Sequence, residues 1–398
     1  MLEKISNANF VRVICRVHAN HVGSTQPLRY LMLPPSHSLC PGLASIEVSS
    51  PCRYSTSADS DQSIPQSRAL MLHVTDLLAL AEQPLDAEGR TYHVSTAPGQ
   101  TANRILTVGD PARLHRVSKH LDEWPEPFER VSQRGYTTVT GRYKGVPVTL
   151  IAIGMGVAMT DFFVREVRAV VQGEIAIVRF GSCGSLDPSL KVGSLGVPER
   201  AVTISTNYNY FHPTTDTSNR GEPYFISNPI NADQGLQRHL FETLTTAEGV
   251  VDEQTRVKSL NLHASADCFY SSQGRIDSNF QDDNDNLIST LLERNPECSS
   301  LEMETAHLLH LASIASPNVP IRAAAVHMVF AGRSLEKGGQ GDFIDPQTVA
   351  QLEPKVGKAC LDALVSWEIP KEKLHPEQGS VWDLSKQNPT LHKTPRLV

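Results

Sequence analysis

The sequence lacks the features that would assign the protein to several broad classes. It contains no run of about 18 apolar residues, so no segment can span a membrane as a helix. Its formal net charge is -7, which argues against a nucleic-acid binder that relies on a basic surface. Its 7 cysteines are scattered, with no C-x-x-C pair, and indicate neither a disulfide framework nor a zinc site. We therefore expect a protein of a reducing compartment without nucleic-acid, membrane or metal partners.

Acidic residues are scarce at the N-terminus. The first 60 residues contain only Glu3, Glu47 and Asp59 as acids, among many serines, prolines and basic residues. This composition is typical of an organelle presequence, and equally of an extension that carries no address. We interpret residues 1–88 as a low-order extension. The predicted location is cytoplasmic, or mitochondrial if the extension is a presequence.

The rest of the chain alternates between strand and helix patterns. RILTV (104–108), EIAIVRF (174–180) and IRAAAVHMVF (321–330) are typical of buried strands, while 302–314 and 346–367 have helical spacing. The alternation predicts one α/β domain over residues 89–369, with a mixed, largely parallel sheet flanked by helices. The polar segment 207–231 indicates a surface loop or lid, and the polar tail 370–398 is expected to be loosely ordered.

Three glycine-rich segments are predicted to form turns at the carboxyl edge of the sheet: VGDPAR (108–113), IGMGVAM (153–159) and FGSCGS (180–185). Such turns direct backbone N–H groups towards an anion. A dinucleotide site is disfavoured because Met159 replaces the third glycine of the usual motif and Arg179 stands where an acid would bind ribose. Cys183 fits no nucleophile motif and is better explained as a small buried residue.

Arg113, Arg134 and Arg179 accompany these turns, and planar guanidinium groups suit a phosphate ion. Each of them, taken singly, is also explained as a solvated surface residue.

Two further segments carry paired polar residues. In DCFYSSQGRID (267–277), Gln273 and Arg275 would point to the same side of an extended chain and could face one flat ligand. In LEMETAHLLHLA (301–312), Glu302 and Glu304 either complement the dipole of a helix N-terminus or accept hydrogen bonds from a sugar diol. The segment alone does not choose between these readings.

Together these segments resemble the uridine phosphorylases of the nucleoside phosphorylase family. The motifs are GDPAR (109–113), SQRGYTT (132–138), GMG (154–156), RFGSCG (179–184), DCFYSSQGRID (267–277) and LEMET (301–305), in the family's order over about residues 90–368. The combination of FY-x-x-QGR with EME is the specific part. The resemblance implies a nucleoside-phosphorylase-like domain.

The resemblance also implies roles for individual residues. Phosphate would be bound by Gly109, Arg113, Arg179 and Ser182, with Arg134 contributed across a dimer interface. The nucleoside would be bound by His93 of the neighbouring subunit, Phe269, Gln273, Arg275, Met303, Glu304 and Arg333. Catalysis would depend on Arg113, Arg179, Gln273, Arg275 and Glu304.

The implied reaction is phosphorolysis of uridine to uracil and ribose 1-phosphate, in pyrimidine nucleoside salvage and catabolism. Deoxyuridine and thymidine are further candidate substrates. The expected enzyme is a homodimer with shared active sites that uses inorganic phosphate as co-substrate and needs no metal or organic cofactor. The alternatives are a purine nucleoside phosphorylase or nucleosidase of the same fold, and a nucleoside-binding homologue without turnover.

Overall fold

The computed structural model describes residues 85–213, 220–251, 256–333 and 341–385. Nearly all of the predicted extension 1–88, and the tail beyond 385, therefore lie outside the described residues. Within the described ranges, no helix is both long and apolar enough to cross a membrane.

Thirteen strands form one sheet in the described part of the chain. They are β1 (Arg104–Val108), β2 (Phe128–Val131), β3 (Thr137–Tyr143), β4 (Val146–Ala152), β5 (Ile175–Ser185), β6 (Leu195–Pro198), β7 (Arg200–Thr206), β8 (Tyr224–Ile226), β9 (Ile230–Asn231), β10 (Val257–Leu260), β11 (Leu262–Ala266), β12 (Cys298–Glu302) and β13 (Ile321–Gly332). The main path runs β2-β3-β4-β1-β5-β12-β11-β7-β8, and β13 pairs with β5 and β6.

The predicted mixed sheet is confirmed, but it is less parallel than expected. The centre is parallel, since β1 pairs with β4 and β5, and β13 pairs with β5 along its length. Antiparallel pairings are as many as the parallel ones, because β2, β3, β8 and β9 add hairpin-type partners at the edges and β12 and β13 each form one internal antiparallel contact. Short connections enforce the antiparallel sense between β2 and β3 and between β3 and β4, whereas β8 and β9 return to β7 after a longer segment.

Six α-helices accompany the sheet in the described ranges: α1 (Pro111–Ser118), α2 (Val157–Val170), α3 (Gln234–Thr246), α4 (Leu287–Arg294), α5 (Thr305–Ser313) and α6 (Pro346–Ser366). Local chemistry fixes several starts. Asp110 caps α1 by accepting from the backbone N–H groups of Ala112 and Arg113, and Pro111 occupies the first helical position. Asp345 and Pro346 repeat this arrangement at α6.

The helices cover both faces of the sheet. Buried side chains of α1, α3 and α6, such as Leu114, Leu240 and Leu361, form one apolar cluster with the central strands. Side chains of α2 and α5, such as Phe163 and Leu308, form a second cluster on the opposite face. A third cluster joins α4 to β7, β11 and β12. The sheet is thereby held between two helical layers, and the loops at one strand edge are left to form a site.

The structure corrects four local predictions. The segment FGSCGS is not a turn, because β5 continues through Ser185. Glu302 ends strand β12 and does not begin a helix, and α5 starts at Thr305. The predicted loop or lid at 207–231 contains β8 and β9, which pair with β7, although residues 214–219 are not described.

The fourth correction concerns the tail. The expectation of loose order is wrong for residues 370–385, because Trp382 is buried and its carbonyl accepts from Arg142 Nε at 3.0 Å.

Candidate active site

Arg113 is buried at the first turn of α1, where it faces the third glycine-rich segment. Its Nη2 donates to Ser182 Oγ at 2.9 Å and its Nη1 to the carbonyl of Phe180 at 3.2 Å. Its Nε donates to Glu353 Oε1 on α6 at 2.7 Å. Burial lowers the pKa of Arg113, and the charge of Glu353 opposes that effect. The planar guanidinium is therefore held by three oxygens before any ligand arrives.

The first two glycine turns lie against each other, because they follow β1 and β4, which pair in parallel. Gly154 N donates to the carbonyl of Gly109 at 3.1 Å, and a Cβ on Gly109 would stand 3.3 Å from the carbonyl oxygen of Gly154. The close approach leaves little room for a side chain at position 109.

Arg179 links the glycine segments to two buried carboxylates. Its Nε donates to Glu302 Oε2 at 3.3 Å and its Nη2 to Glu304 Oε2. The other oxygen of Glu304 accepts from the backbone N–H of Gly156 in the second turn. Met303, between the two acids, is half-buried. Glu304 thus lies between the second glycine turn and Arg179, which places the predicted sugar-binding acid beside the predicted phosphate arginine.

The two carboxylates are buried but carry opposite pKa shifts. Burial raises the pKa of Glu304 to about 7, with Arg179 opposing and the charge of Glu302 adding to the rise. Burial also disfavours the charged form of Glu302, but His263, His327 and Arg179 outweigh it and hold its pKa well below the usual range. Glu302 is therefore a fixed anion, whereas Glu304 titrates near neutrality.

Gln273 and Arg275 are close, but not through an extended chain. Gln273 ends a single 3-10 turn (Ser271–Gln273), and Gly274 has a positive φ of 61°. Gln273 is buried, and its backbone carbonyl accepts from Arg333 Nη2 at 2.7 Å. Arg275 Nε donates to the carbonyl of Phe269 at 3.0 Å, and its guanidinium carbon lies 4.0 Å from the centroid of that ring. One face of Phe269, expected to stack on the base, is thus covered by Arg275.

Arg333 connects the Gln273 segment to the arginine cluster. Its backbone N–H donates to the carbonyl of Ser185 at 2.7 Å, and a Cβ on Gly184 would meet its Cγ at 3.1 Å. Strand β5 therefore carries Arg179 and Ser182 on the phosphate side and contacts Arg333 at its end. One series of contacts, here called the contact chain, joins the predicted site segments. It links Arg113 to β5, Arg179 of β5 to Glu304, the end of β5 to Arg333, and Arg333 to Gln273.

Three side-chain N–H donors in the contact chain are buried without a partner among the described residues: Arg179 Nη1, Arg333 Nε and Arg333 Nη1. A buried N–H group without an acceptor is costly, and each such group is oriented by other bonds of the same guanidinium. These donors are the ones that an anion and a polar base could satisfy.

His93 and Arg134 are not brought to this cluster within the chain. His93 Nδ1 lies 2.5 Å from Glu166 Oε1 and its ring stacks on Phe162 at 3.7 Å. Arg134 Nη2 donates to the hydroxyl of Tyr92 at 2.9 Å on an exposed surface. The two residues are linked through Tyr92, whose ring lies 5.0 Å from that of His93 and whose hydroxyl accepts from Arg134.

The sequence patterns did not identify the buried residues that contact the site residues from the protein interior. Glu353 comes from a helix 240 positions from Arg113, and His263 and His327 are buried in strands beside Glu302. A charged residue within the apolar spacing of α6 and a histidine inside the run IRAAAVHMVF were the available signals. Cys183 is buried, and burial raises the pKa of its thiol, which agrees with a packing role.

A separate cavity of about 370 Å³ lies beside the 207–231 segment. Tyr210, Glu222, Tyr224 and Asp283 are among its lining residues, and none of the predicted site residues lines it.

Comparison with known proteins agrees with the sequence motifs. A sequence model described as the phosphorylase superfamily matches residues 103–366. A uridine phosphorylase of Thermococcus kodakarensis is 30% identical over 296 residues, covering 74% of this chain and 93% of that protein. A DeoD-type purine nucleoside phosphorylase of Streptococcus uberis is 27% identical over 196 residues, covering 47% of this chain and 81% of that protein.

A solved structure of a uridine phosphorylase from the oomycete Phytophthora capsici matches with a TM-score of 0.66 and 35% identity, over 72% of this chain and 98% of that chain. Family match, sequence identity and fold agree over the same part of the molecule. The chain belongs to the phosphorylase superfamily, and its resemblance to the uridine phosphorylases is confirmed.

Proposed function

We propose that the protein catalyses the phosphorolysis of uridine to uracil and ribose 1-phosphate. The observation that carries the proposal is the set of buried donors on Arg179 and Arg333 that have no partner among the described residues. Arg179 lies in β5, and the backbone of Arg333 contacts Ser185 at the end of that strand. One donor lies where the motif expects phosphate, and the others lie beside the residues expected to recognise the base. An inorganic anion and a pyrimidine carbonyl are acceptors of the required kind.

The phosphate end supplies position and charge. Arg113 and Arg179, with Ser182 and the backbone of Gly109, would hold the anion below the sugar. Arg179 also bonds Glu304, so the group that binds phosphate fixes the carboxylate proposed to accept from the ribose 2′ and 3′ hydroxyls. Such fixed geometry lowers the barrier, because the attacking oxygen and C1′ need little further alignment.

The base end supplies stabilisation of the leaving group. As the glycosidic bond breaks, its electron pair moves into the pyrimidine ring and negative charge develops on the carbonyl oxygens. The Gln273 amide can accept from N3–H and donate to O2, while Arg275 and Arg333 donate towards O4. Donors aimed at this developing charge stabilise the transition state more than the substrate. A purine does not offer the same edge.

The working enzyme is proposed to be a homodimer, in which Arg134 and His93 of one subunit complete the site of the other. The proposal is supported by the contacts of both residues within the chain, since His93 contacts Glu166 and Arg134 contacts Tyr92, and neither forms a hydrogen bond with the arginine cluster among the described residues. Inorganic phosphate is the proposed co-substrate, and the scheme uses no metal ion or organic cofactor. Deoxyuridine and thymidine are proposed as further substrates, and the reaction would serve pyrimidine salvage and catabolism.

Release of free base from uridine, thymidine, cytidine and inosine, with and without phosphate, tests the proposal. We expect phosphate-dependent release of uracil and little release from inosine. Release that does not depend on phosphate would indicate a nucleosidase, and preference for inosine would indicate a purine enzyme. Tight uridine binding without release of base would indicate a binding homologue, and any of these three results would overturn the proposal.

A further inference from the structure

Two stacked histidines lie beneath the proposed ribose site. His263 of β11 and His327 of β13 are both fully buried, with ring centroids 4.7 Å apart and planes 5° from parallel. Neither is among the residues proposed to bind phosphate or nucleoside, and neither belongs to the motifs that carry the resemblance. Buried imidazoles are retained at a cost of desolvation, so their contacts indicate what they do there.

His263 faces Glu302. Its Nε2 lies 3.1 Å from Glu302 Oε1, off the line of an ideal N–H bond, and its Nδ1 lies 2.7 Å from Ser300 Oγ. A lone pair on Nε2 would face the Glu302 carboxylate and be repelled, and the serine hydroxyl can donate to Nδ1, so the proton of the neutral ring is assigned to Nε2. In this tautomer the Nε2–H of His263 lies close to Glu302 Oε1 as an electrostatic contact and not as a well-aligned hydrogen bond.

Glu302 in turn orients both functional groups of the site. Its Oε2 accepts from Arg179 Nε at 3.3 Å and from the backbone N–H of Glu304 at 3.0 Å. Its Oε1 accepts from Ser265 Oγ at 2.5 Å and from the backbone N–H of Thr305 at 3.0 Å. A change in the charge or position of Glu302 is thus transmitted to the proposed phosphate arginine and to the proposed ribose carboxylate together.

His327 packs against one face of the His263 ring. Its Nε2 lies 2.9 Å from Thr305 Oγ1 at the start of α5. Its Nδ1 has no partner among the described residues and lies against Gly181, where a Cβ would come within 2.5 Å of it. His327 therefore fills the space between α5, the His263 ring and strand β5.

The same three side chains, His263, Glu302 and His327, have ligand atoms within 4.8 Å of one another and could in principle hold a metal ion. The stacking argues against it, because one ion cannot lie in the planes of two parallel rings. Glu302 is also already occupied by donors, and the guanidinium of Arg179 lies on its other side. We therefore interpret the cluster as a hydrogen-bonding support.

We propose that His263 is a positioning residue that holds Glu302 as an oriented anion, and through it aligns Arg179 with phosphate and Glu304 with ribose. This role rests on the proposed phosphorolysis. It adds to that proposal a residue outside the substrate site whose loss should weaken the binding of both substrates at once.

Two substitutions of His263 test the roles of its two ring nitrogens separately. His263→Gln places an amide N–H near the position of Nε2 and keeps a donor for Glu302. His263→Asn places its amide near Nδ1, within reach of Ser300 but not of Glu302. His375→Asn is the matched control for loss of a buried imidazole, because His375 Nδ1 accepts from the backbone of Gln172 in the C-terminal segment.

Steady-state kinetics with uridine and phosphate should distinguish the three variants. We expect His263→Asn to raise the KM of both substrates about tenfold or more, as for loss of a bond to a charged group. His263→Gln should stay within about threefold of the parent by the same reasoning. His375→Asn should leave both KM values unchanged even if thermal unfolding shows that it is less stable.

The pH profile is a second readout, which a purely structural role would not move. His263 lowers the pKa of Glu302, so the substitution His263→Asn should raise the pKa of Glu302. The acid limb of the kcat/KM profile should then shift to higher pH. The other charged or titratable groups facing His263 and Glu302 are Arg113, Arg179, Cys183, Glu304 and His327. These remain in all three variants.

The outcomes separate the two proposals. A parent without phosphate-dependent uracil release would overturn both. An active parent with parental KM values and pH profile in His263→Asn would overturn the positioning role alone. Equal losses in His263→Asn and His263→Gln would also overturn it, because the donor to Glu302 would then not be the cause.

Discussion

Replacement of Glu353 by glutamine should weaken phosphate binding although the residue touches no substrate. Glu353 is buried on α6 and accepts from two arginines, Arg113 Nε at Oε1 and Arg116 Nε at Oε2, both at 2.7 Å. A glutamine keeps the shape but offers one oxygen and one N–H₂ group. One arginine must then face a donor, and the buried guanidinium of Arg113 loses its compensating charge.

The magnitude follows from burial. Arg113 and Glu353 side chains are 5% and 2% exposed, so the pair is close to fully desolvated. Removing one partner of such a pair costs about 3–5 kcal/mol of stability, or about 10 °C in Tm for a domain of this size. Phosphate binding should weaken by about ten- to a hundredfold, as for loss of one charge-assisted bond, because Arg113 is no longer held towards Ser182.

The assay is the KM for phosphate at saturating uridine, together with thermal unfolding. Arg116→Ala is the matched control, because Arg116 contacts the other oxygen of Glu353 but its side chain is 34% exposed. It should change the KM for phosphate by less than about threefold, since exposed pairs contribute little. If Glu353→Gln lowered Tm but left the phosphate KM at the parental value, the orientation argument would be refuted.

Three other perturbations test separate parts of the site. Gln273→Ala should lower kcat/KM for uridine by about 10² or more, with parental folding, as for other sites that lose a specifying hydrogen bond; equal activity in variant and parent would exclude the role. Calorimetry without phosphate should show uridine binding weakening as pH falls through about 7, because burial raises the pKa of Glu304 to about 7 and a protonated acid accepts less well; a flat profile would contradict this. Gly181→Ala should cost about 1–3 kcal/mol in urea unfolding, because its Cβ would lie 2.5 Å from His327 Nδ1; adding His327→Ala should recover part of that cost, and no recovery would argue against the clash.

Local chemistry explains what the sequence could predict. The start of α1 follows from Asp110 and Pro111, which satisfy the first N–H groups and preset the backbone. The presence of parallel strands follows from the strand and helix alternation, whereas the pairing of β1 with β4, which brings the first two glycine turns into contact, does not follow from it. The features that could be predicted depend on neighbours within a few positions or on one general rule of sheet geometry.

The errors arise where two local patterns look alike. Glu302 and Glu304 resemble the acids of a helix N-terminus, but Glu302 ends β12, where Ser265 and His263 of the adjacent strand surround it. Gln273 and Arg275 satisfy an alternating pattern, but Gly274 at a φ of 61° turns the chain between them. Only the partner strand and the left-handed glycine decide these cases, and neither is a property of the segment alone.

The deeper omission concerns which residues make the arginines effective. A guanidinium in water binds phosphate weakly, because its donors are hydrated and its side chain is mobile. Here Arg113 and Arg179 are fixed by carboxylates from distant parts of the chain, Glu353 and Glu302, so their remaining donors already point in one direction. The family motifs contain both arginines and Glu302, whereas Glu353 lies outside them on α6 and contacts only protein among the described residues. Preorganisation of the anion site therefore depends partly on Glu353, a residue that no family motif identifies.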